Sequence, residues 1–341
     1  MAINTTAIRD LLRPGLAAVF GDYPMYPGQW SEIFEKHTSD KAVEIEVEVK
    51  LLGLAQIKAE GASTAYGEMG QRFVTNYVNR YTSIGFIITR QAIKDNLYQS
   101  SFPLQAKALR QSMEQTKEVL GASVLNNGFS ANFPIGDGQP LFSTAHPIEN
   151  GTVANTFTVQ ADLNETSLQD AIVGVQRFRD AAGLRIMTKP TKLIVPAELQ
   201  WTATRLLQSQ FRVDTANNDI NAIYNNSAVP QGHRVNMFLT DTNGWFLLTD
   251  APNGFKHYER ESLETDVYTD FDTDNLKAKA IERYSFGWSD PLGMFGSSGS
   301  TYELKEGRGE TSSPFNLSGV CLHLLGLLLV PTALADLVET V

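Results

Sequence analysis

The strongest periodic pattern along the chain lies at residues 102–127. Apolar residues recur there at intervals of three and four, with one gap of seven, which is one face of an α-helix. Pro103 suits the first helical turn, and Asn126, Asn127 and Gly128 favour the left-handed backbone that ends a helix. The pattern predicts about 24 helical residues, roughly 36 Å in length. The apolar positions are Phe102, Ala106, Leu109, Met113, Leu120 and Val124.

Residues 43–50 alternate strictly between apolar and acidic or basic side chains, which predicts a half-buried β-strand with an aliphatic face. Residues 61–71 are small, polar and flexible by composition, as loop tips are. Residues 71–90 are rich in β-branched and aromatic side chains, which favour strands. Together they predict a long β-hairpin over roughly residues 50–85. A free two-stranded hairpin is marginal in water, so it must lie on its own domain or on a neighbouring subunit.

The second half of the chain mixes helical and strand patterns. Residues 166–184 have helical periodicity, with Thr166 or Ser167 as the expected cap, and a short buried strand is predicted at residues 192–195. A further helix follows that strand. The Asn-Gly dipeptide at position 243, between two apolar runs, predicts a β-hairpin. Residues 254–296 predict further strand pairs with an acidic turn between them.

The first 40 residues predict an arm. Pro14 and Gly15 interrupt a short amphipathic stretch, and an aromatic, proline-rich segment follows. Such a segment buries its large side chains either on its own core or on a neighbouring chain, and both alternatives stay open. Its aromatic residues are Tyr23, Tyr26, Trp30 and Phe34.

The C-terminal residues 301–341 change character. A charged, linker-like stretch leads into residues 319–335, where only His323 and Thr332 interrupt the apolar run. The run is just shorter than the ~20 residues of a membrane span, and Pro331 weakens the single-helix interpretation. Burial in an assembly, membrane association and a poorly ordered extension stay open as alternatives.

Composition and charge narrow the function classes. The 341 residues suggest two domains or one extended subunit, and 42% hydrophobic residues suffice for a sizeable core. A net charge of −10 without a Lys/Arg block argues against a dedicated nucleic-acid binder. The single Cys321 excludes an internal disulfide and a cysteine-based zinc site, and it fits a reducing cytosol. The N-terminal segment lacks the pattern of a signal peptide, so we expect a protein that is not exported.

Candidate chemistry is sparse. No HExxH, GxSxG or Walker phosphate-binding motif occurs, and the histidines share no metal-ligand spacing. His146 lies close to Asp137 in sequence, but Pro147 favours an extended or turn conformation and hence a structural histidine. An aspartate cluster resembles a Ca²⁺ loop without its glycine and its terminal glutamate, which favours a solvated turn over a cation site. We therefore predict no catalytic, cofactor-binding or metal-binding residues. The histidines are His37, His146, His233, His257 and His323, and the aspartates are Asp266, Asp270, Asp272 and Asp274.

The order of these parts resembles the major capsid protein of tailed bacteriophages, the fold first described for the Hong Kong phage and shared with encapsulins. The resemblance covers about residues 15–298, and its specific feature is the order of the segments. The segments are KAVEIEVEVKLLGLAQIKAEGASTAYGE (41–68), YTSIGFIITRQAIKDNLY (81–98), DGQPLFSTAHP (137–147), KLIVPAELQWTATRLLQS (192–209) and FKHYERESLETDVYTDFDTDNLKAKAIERYSFGWSDP (255–291).

The resemblance implies an α+β fold with an arm, an extended hairpin loop, a peripheral domain around a spine helix, and an axial α/β domain. Some relatives crosslink a lysine of the extended loop to an asparagine. Lys58 lies in this loop, but no glutamate can be assigned as catalyst, so crosslinking is not predicted. The implied boundaries are 1–40 for the arm, 41–85 for the loop, 86–159 and 251–300 for the peripheral domain with the spine helix at 102–127, 160–250 for the axial domain, and 301–341 for an extension of unknown role.

The function that the resemblance implies is structural rather than enzymatic. Copies of the chain would assemble into the pentamers and hexamers of an icosahedral head around double-stranded DNA, in the host cytoplasm. The partners would be the chain itself, a portal, and scaffolding or decoration proteins, with no membrane and no cofactor. An encapsulin-like bacterial compartment is one alternative. A soluble α/β enzyme without a recognisable motif is an alternative from another class.

Overall fold

A computed structural model describes residues 28–50, 52–95, 98–134, 136–212 and 219–300, and its mixture of helices and sheets confirms the predicted α+β class. The strands are β1 (Glu35–Thr38), β2 (Val43–Lys50), β3 (Gly70–Val78), β4 (Arg80–Ile88), β5 (His146–Ile148), β6 (Gly151–Val153), β7 (Pro190–Val195), β8 (His233–Val235), β9 (Trp245–Thr249), β10 (Phe255–Thr269), β11 (Leu276–Trp288) and β12 (Met294–Ser297). The helices are α1 (Arg90–Lys94), α2 (Tyr98–Asn126), α3 (Glu165–Gln176), α4 (Gln200–Gln208) and α5 (Ala222–Asn225), with short 3₁₀ turns at Gln29–Glu32, Ala197–Leu199 and Pro291–Gly293.

Helix α2 is the long helix that the periodicity predicts, although it begins at Tyr98 rather than at residue 102. Its 29 residues extend over about 43 Å. Gly128 follows its last turn and donates its N–H to the Leu125 carbonyl at 2.9 Å. A Cβ at Gly128 would lie 2.6 Å from the Phe142 ring, so glycine is required where the helix meets this core. The buried side chains of α2 include Ala106, Leu109, Met113, Ala122 and Leu125.

One sheet packs against α2 and has the strand order β1-β10-β11-β4. Strands β10 and β11 form a long antiparallel pair joined by the acidic turn that the sequence predicts, and β4 pairs antiparallel with β11. The burial of β11 alternates, because every second side chain faces the helix. Its residues Leu276, Ala278 and Ala280 contact the apolar face of α2.

The hairpin of β2 and β3 begins at Val43 and ends at Val78 rather than covering roughly residues 50–85, because β4 belongs to the larger sheet instead. Asn79, the buried residue between β3 and β4, marks the transition. Its side-chain NH₂ donates to Ser39 Oγ at 2.8 Å and to the Lys41 carbonyl at 2.9 Å, and its side-chain oxygen Oδ1 accepts from the Ser285 hydroxyl at 3.0 Å. These bonds fix the point where the chain leaves the hairpin.

The second sheet has the order β12-β9-β7-β8, and helices α3 and α4 pack on it. The predicted hairpin around Asn243 and Gly244 is wrong. Strand β8 pairs parallel with β7, and β9 pairs antiparallel along the other side of β7, so the segment between them crosses over the end of that strand. The dipeptide forms a local turn instead, in which the Asn243 N–H donates to the Asp241 carboxylate at 2.9 Å.

Helix α3 also differs from its predicted bounds of 166–184, since it ends at Gln176. Asn164 caps it: the Asn164 side chain accepts from the Ser167 N–H, and the Ser167 hydroxyl accepts from the Asn164 N–H. Gly183, with φ of +83°, lies in a separate turn after the helix.

The last part of the predicted arm packs on its own chain. Ile33 and Phe34 are buried in an aromatic cluster with Phe255 and Trp288, and Trp30 packs against the same cluster. Strand β1 then pairs parallel with β10. For Trp30 and Phe34, burial in the chain's own core is therefore the observed alternative, whereas Tyr23 and Tyr26 lie outside the described residues.

Several expectations concern parts of the chain outside the described residues, namely positions 1–27, 213–218 and 301–341. His323, Cys321 and the apolar run at residues 319–335 fall among them. Within the described ranges, no helix has both the length and the apolar character needed to cross a membrane.

Candidate assembly surface

The β2–β3 hairpin carries two chemically different faces. In an antiparallel pair, directly opposed residues share a face. Glu44 opposes Tyr77 and Glu46 opposes Thr75, which defines a polar face. The other face is aliphatic, with Val47 opposite Val74 as one of its pairs. The full aliphatic set is Val43, Ile45, Val47, Val49, Val74 and Val78.

The polar face of the hairpin lies on the body of the protein. Thr75 and Tyr77 are buried there. The Glu46 carboxylate accepts hydrogen bonds from Lys256 Nζ at 2.6 Å and from the hydroxyls of Tyr258 and Ser289. These donors stand on β10 and immediately after β11, so the contact joins parts of the chain that are more than 200 residues apart.

A second connection lies further along the hairpin. Arg72 donates to the Glu48 carboxylate at 2.8 Å and to the Pro147 carbonyl at 2.6 Å. Lys50 forms a more exposed ion pair with Glu149, with 2.5 Å between the charged atoms. The hairpin is thus held along its length by charged and polar groups, and the Tyr77 ring adds an aromatic contact with Tyr258, with 5.0 Å between the ring centroids.

The aliphatic face points away from the body, so the exposed side of this half-buried strand is the aliphatic one. Ile45 is 62% exposed, Val78 51%, Val49 46%, Val74 44% and Val47 38%. The alternating pattern predicts the strand correctly, but the buried side is the acidic one because it finds donors on the body. The result is an exposed apolar surface, which we call the aliphatic ribbon. Such surfaces mark interaction sites on proteins.

The loop between β2 and β3 also exposes large apolar side chains. Gly61, with φ of +77°, lies at its turn. Lys58 Nζ lies 3.4 Å from Thr64 Oγ1 within the loop, so the structure joins this lysine to no asparagine among the described residues. The exposed large apolar residues of the loop are Leu52, Leu54, Ile57, Tyr66 and Met69.

A cavity of about 540 Å³ lies between the hairpin and the body. Carboxylates from both sides line it. Burial raises the pKa of Glu48 on the hairpin, and burial together with the Glu48 charge raises the pKa of Asp290 on the body to about 6. Glu46 differs: burial pushes its pKa up, but the bonds from Lys256 and the two hydroxyls hold it below its usual value. Glu46 therefore stays ionised and anchored at neutral pH.

His146 and Asp137 do come together at the edge of this cavity, with 2.6 Å between Nδ1 and the carboxylate. The other ring nitrogen, Nε2, lies 3.2 Å from both the Leu141 carbonyl and the Asn155 side-chain oxygen. Acceptors therefore surround both nitrogens, and neither is directed at a substrate position. The buried Asn155 amide also donates to the Leu141 and Pro291 carbonyls, so the group ties the loop after α2 to the second sheet. These contacts connect His146 to the surrounding loops through both of its ring nitrogens.

The other candidate chemistry does not converge. Asp270 pairs with Lys277 at 2.9 Å and Asp274 pairs with Arg90, as expected of a solvated turn. His257 is buried among aromatic rings. Across the described ranges, no group of three or more His, Cys, Asp or Glu residues could hold a metal ion.

The residues that anchor the hairpin were not singled out from the sequence. Lys256, Tyr258 and Ser289 lie in strand-forming segments where each reads as an ordinary polar position. The sequence predicts only that a long two-stranded hairpin, marginal by itself, must lie on its own domain or on a neighbouring subunit. That expectation does not identify the anchors.

Comparisons with known proteins place the chain in a family. A family model described as "Phage capsid protein" matches residues 74–296. The virus-like particle of Pyrococcus furiosus is 9% identical, with 84% of this chain and 98% of that chain covered and a TM-score of 0.45. Microbacterium phage Oxtober96 is 11% identical (82% and 94% covered, TM-score 0.48). The decorated capsid of bacteriophage JBD30 is 15% identical (70% and 100% covered, TM-score 0.49).

No curated protein matches the chain. The family match alone spans well over half of its length, and it includes β4, helix α2 and most of both four-stranded sheets. The chain therefore belongs to the phage capsid protein family, and its role is that of a structural capsid subunit.

Proposed function

We propose that copies of this chain assemble into the pentamers and hexamers of an icosahedral head that encloses double-stranded DNA, and that the aliphatic ribbon docks on a second copy. The observation that carries the proposal is the ribbon itself. Its aliphatic side chains are held outward by a hairpin whose opposite face is anchored on the body. In a monomer this arrangement leaves the aliphatic side chains in water, whereas in a shell subunit the same side chains can form an interface with a neighbouring copy.

The magnitudes suit assembly from many weak contacts. Full burial of one Val or Ile side chain contributes about 1.5–3 kcal/mol, and the ribbon side chains are already partly covered, so each contributes less. One such contact is weak, which lets a misplaced subunit dissociate. The same contact repeated between all neighbours of a closed shell gives a stable particle.

The remaining regions have roles in this proposal. In this proposal the hairpin docks on a different patch of the next copy, and such a head-to-tail contact forms a ring when the rotation between copies closes. Residues 86–159 and 251–300 would form the peripheral domain, residues 160–250 the axial domain, and the arm before residue 28 would reach neighbours. A portal and scaffolding or decoration proteins are further proposed partners, and assembly would take place in the host cytoplasm. The net charge of −10 would keep packaged DNA from adhering to the shell.

Electron microscopy of the expressed chain tests the proposal. We expect closed shells from the wild type and from Val47→Ile, which keeps the ribbon apolar. We expect Val47→Lys to stay unassembled with an unchanged thermal unfolding temperature, because the side chain is partly exposed in the free subunit. Shells that hold protein cargo would favour an encapsulin-like compartment instead. A discrete monomer or dimer from the wild type would contradict the proposal.

A further inference from the structure

We propose that Glu46 is a positioning residue for assembly: its bonds to the body hold the polar face of the hairpin down and thereby present the aliphatic ribbon to the next subunit. This inference rests on the proposed function. It concerns a residue that touches no other copy in that scheme and acts only through the orientation of the hairpin.

The first argument is the preference that an alternating strand would have without its anchors. An aliphatic face gains free energy by leaving water, so it would turn toward the body and leave the acidic face in solvent. A one-residue shift in strand placement exchanges the two faces completely. The observed orientation therefore needs specific polar partners for the acidic face, which the body must supply.

The second argument is that the body supplies them at Glu46. Lys256 is only 7% exposed, and its ammonium has the Glu46 carboxylate as its charged partner, with Asn253 Oδ1 at 3.1 Å as a second acceptor. If the hairpin turned over, this buried cation would lose its counter-charge, which is a large penalty. Ser289 extends the network, because its hydroxyl also lies 2.5 Å from the Tyr77 hydroxyl on β3. Both strands of the hairpin are thus tied to the same group.

The third argument is that the neighbouring acidic residues make different contacts. Glu44 bonds to Ser39 and Lys41, only a few residues away. Glu48 pairs with Arg72 inside the hairpin itself. Among the described contacts of the β2 carboxylates, those of Glu46 are the ones that reach β10 and the end of β11. Glu44 is therefore a matched control for a carboxylate on the same face.

Thiol labelling reads the orientation of the hairpin directly. In a full-length chain with Cys321→Ser, the change Thr75→Cys places a single thiol on the buried polar face, where Thr75 is 4% exposed. We expect this thiol to react slowly with a maleimide in free subunits, below the concentration at which shells form. Adding Glu46→Ala should speed labelling at least tenfold and abolish shells. Adding Glu44→Ala should leave both the labelling rate and the shells near the parent values.

Exchanging the charges of Glu46 and Lys256 distinguishes a role of Glu46 in orienting the hairpin from a general loss of stability. Glu46→Lys alone places two ammonium groups together and should fail to assemble. The double variant Glu46→Lys/Lys256→Glu restores an ion pair at the same place and should regain both slow labelling and shells. If Glu46→Ala is too unstable to purify, this rescue decides the matter, and a double variant that stays unassembled or labels fast would overturn the inference.

The two proposals fail in distinguishable ways. Val47→Lys should abolish shells while the Thr75→Cys thiol stays protected, because the hairpin remains anchored. Shells in normal yield from Glu46→Ala, or a thiol that stays protected in it, would overturn the role of Glu46 and leave the ribbon proposal standing. Normal shells from Val47→Lys would overturn the ribbon proposal itself.

Discussion

His257 lies fully buried in a box of aromatic rings. Its ring centroid is 4.4 Å from that of Trp30 and 4.6 Å from that of Phe286. Neither ring nitrogen has a hydrogen-bond partner among the described residues. Burial, with the nearby Lys117 charge as a second cause, lowers the pKa of His257 to about 3. The histidine is therefore neutral in the folded chain at any pH near neutrality.

This burial makes stability depend on pH. Unfolded chains protonate the histidine below about pH 6.5 while the folded chain does not, so stability falls as the pH drops from about 6.5 toward 3. Between pH 7 and pH 5 we expect His257 to lower the free energy of unfolding by about 2 kcal/mol. Denaturant unfolding of wild type and His257→Leu at both pH values measures it. Asp290 affects stability over the same pH range but in the opposite direction, because its pKa is raised to about 6. Its contribution is the same in both proteins and cancels when their pH dependences are subtracted. Equal pH dependence in both proteins would contradict the expectation.

Leu125 tests the core between α2 and the aromatic cluster. Its side chain is 0% exposed and lies in the cluster that contains Phe142, Phe246 and Met294. We expect Leu125→Ala to destabilise the chain by about 2–5 kcal/mol, because it removes buried methyl groups and leaves a cavity. Val119→Ala, at a half-exposed position of the same helix, should stay within about 1 kcal/mol. Thermal unfolding of both variants distinguishes the two positions.

At the scale of elements, the capping of α3 gives a sharp expectation. The Asn164 side-chain oxygen accepts the Ser167 N–H at 2.8 Å, one of the donors that a helix start leaves unpaired. Asn164→Ala should lower stability by about 1 kcal/mol. The exposed Asp170→Ala on the same helix serves as control, with little change expected. If both variants unfold at the wild-type temperature, the cap does not contribute as the structure indicates.

Local patterns identified most elements because helices and single strands depend on nearby residues. The period of α2, the alternation of β2 and the buried run of β7 are all readable from the sequence, and the structure has each of them. The crossover between β8 and β9 was not readable, because the Asn-Gly turn signal describes only the turn. The strands on either side of the turn, β8 and β9, do not pair with each other because both pair with β7, which lies some 50 residues earlier in the chain.

The hairpin shows the same limit at the candidate site. Its strands and exposed loop followed from the sequence, but the face directed to the body did not. That choice is made by Lys256, Tyr258 and Ser289, which lie more than 200 residues after Glu46. A pattern within β2 contains no information about donors so far along the chain. Hydrophobicity alone therefore gives the wrong answer where buried polar partners outweigh it.

At the scale of the whole molecule, clusters of buried apolar side chains between Trp30 and Phe295 connect both four-stranded sheets to α2. We therefore expect a chain that ends at Thr301 to fold with an unfolding temperature within a few degrees of the full chain. Calorimetry of the two chains checks the expectation, and a large drop would contradict it.

The same truncated chain also addresses the role of residues 301–341. Shells formed unchanged without them would show that the tail is dispensable for the lattice. If the truncated chain folds but forms no shells, the tail takes part in contacts between subunits.

The exposed ribbon also limits how long a lone subunit can remain in solution. Its aliphatic side chains lie on a hairpin that pairs with no third strand among the described residues, and exposed strand edges of this kind promote irregular association with other chains. The rate of subunit synthesis must therefore match the rate of shell growth. Newly made subunits have to join a growing shell faster than they aggregate with one another. Faster synthesis would then yield precipitate rather than more particles, and slower synthesis at lower temperature would raise the fraction of intact ones.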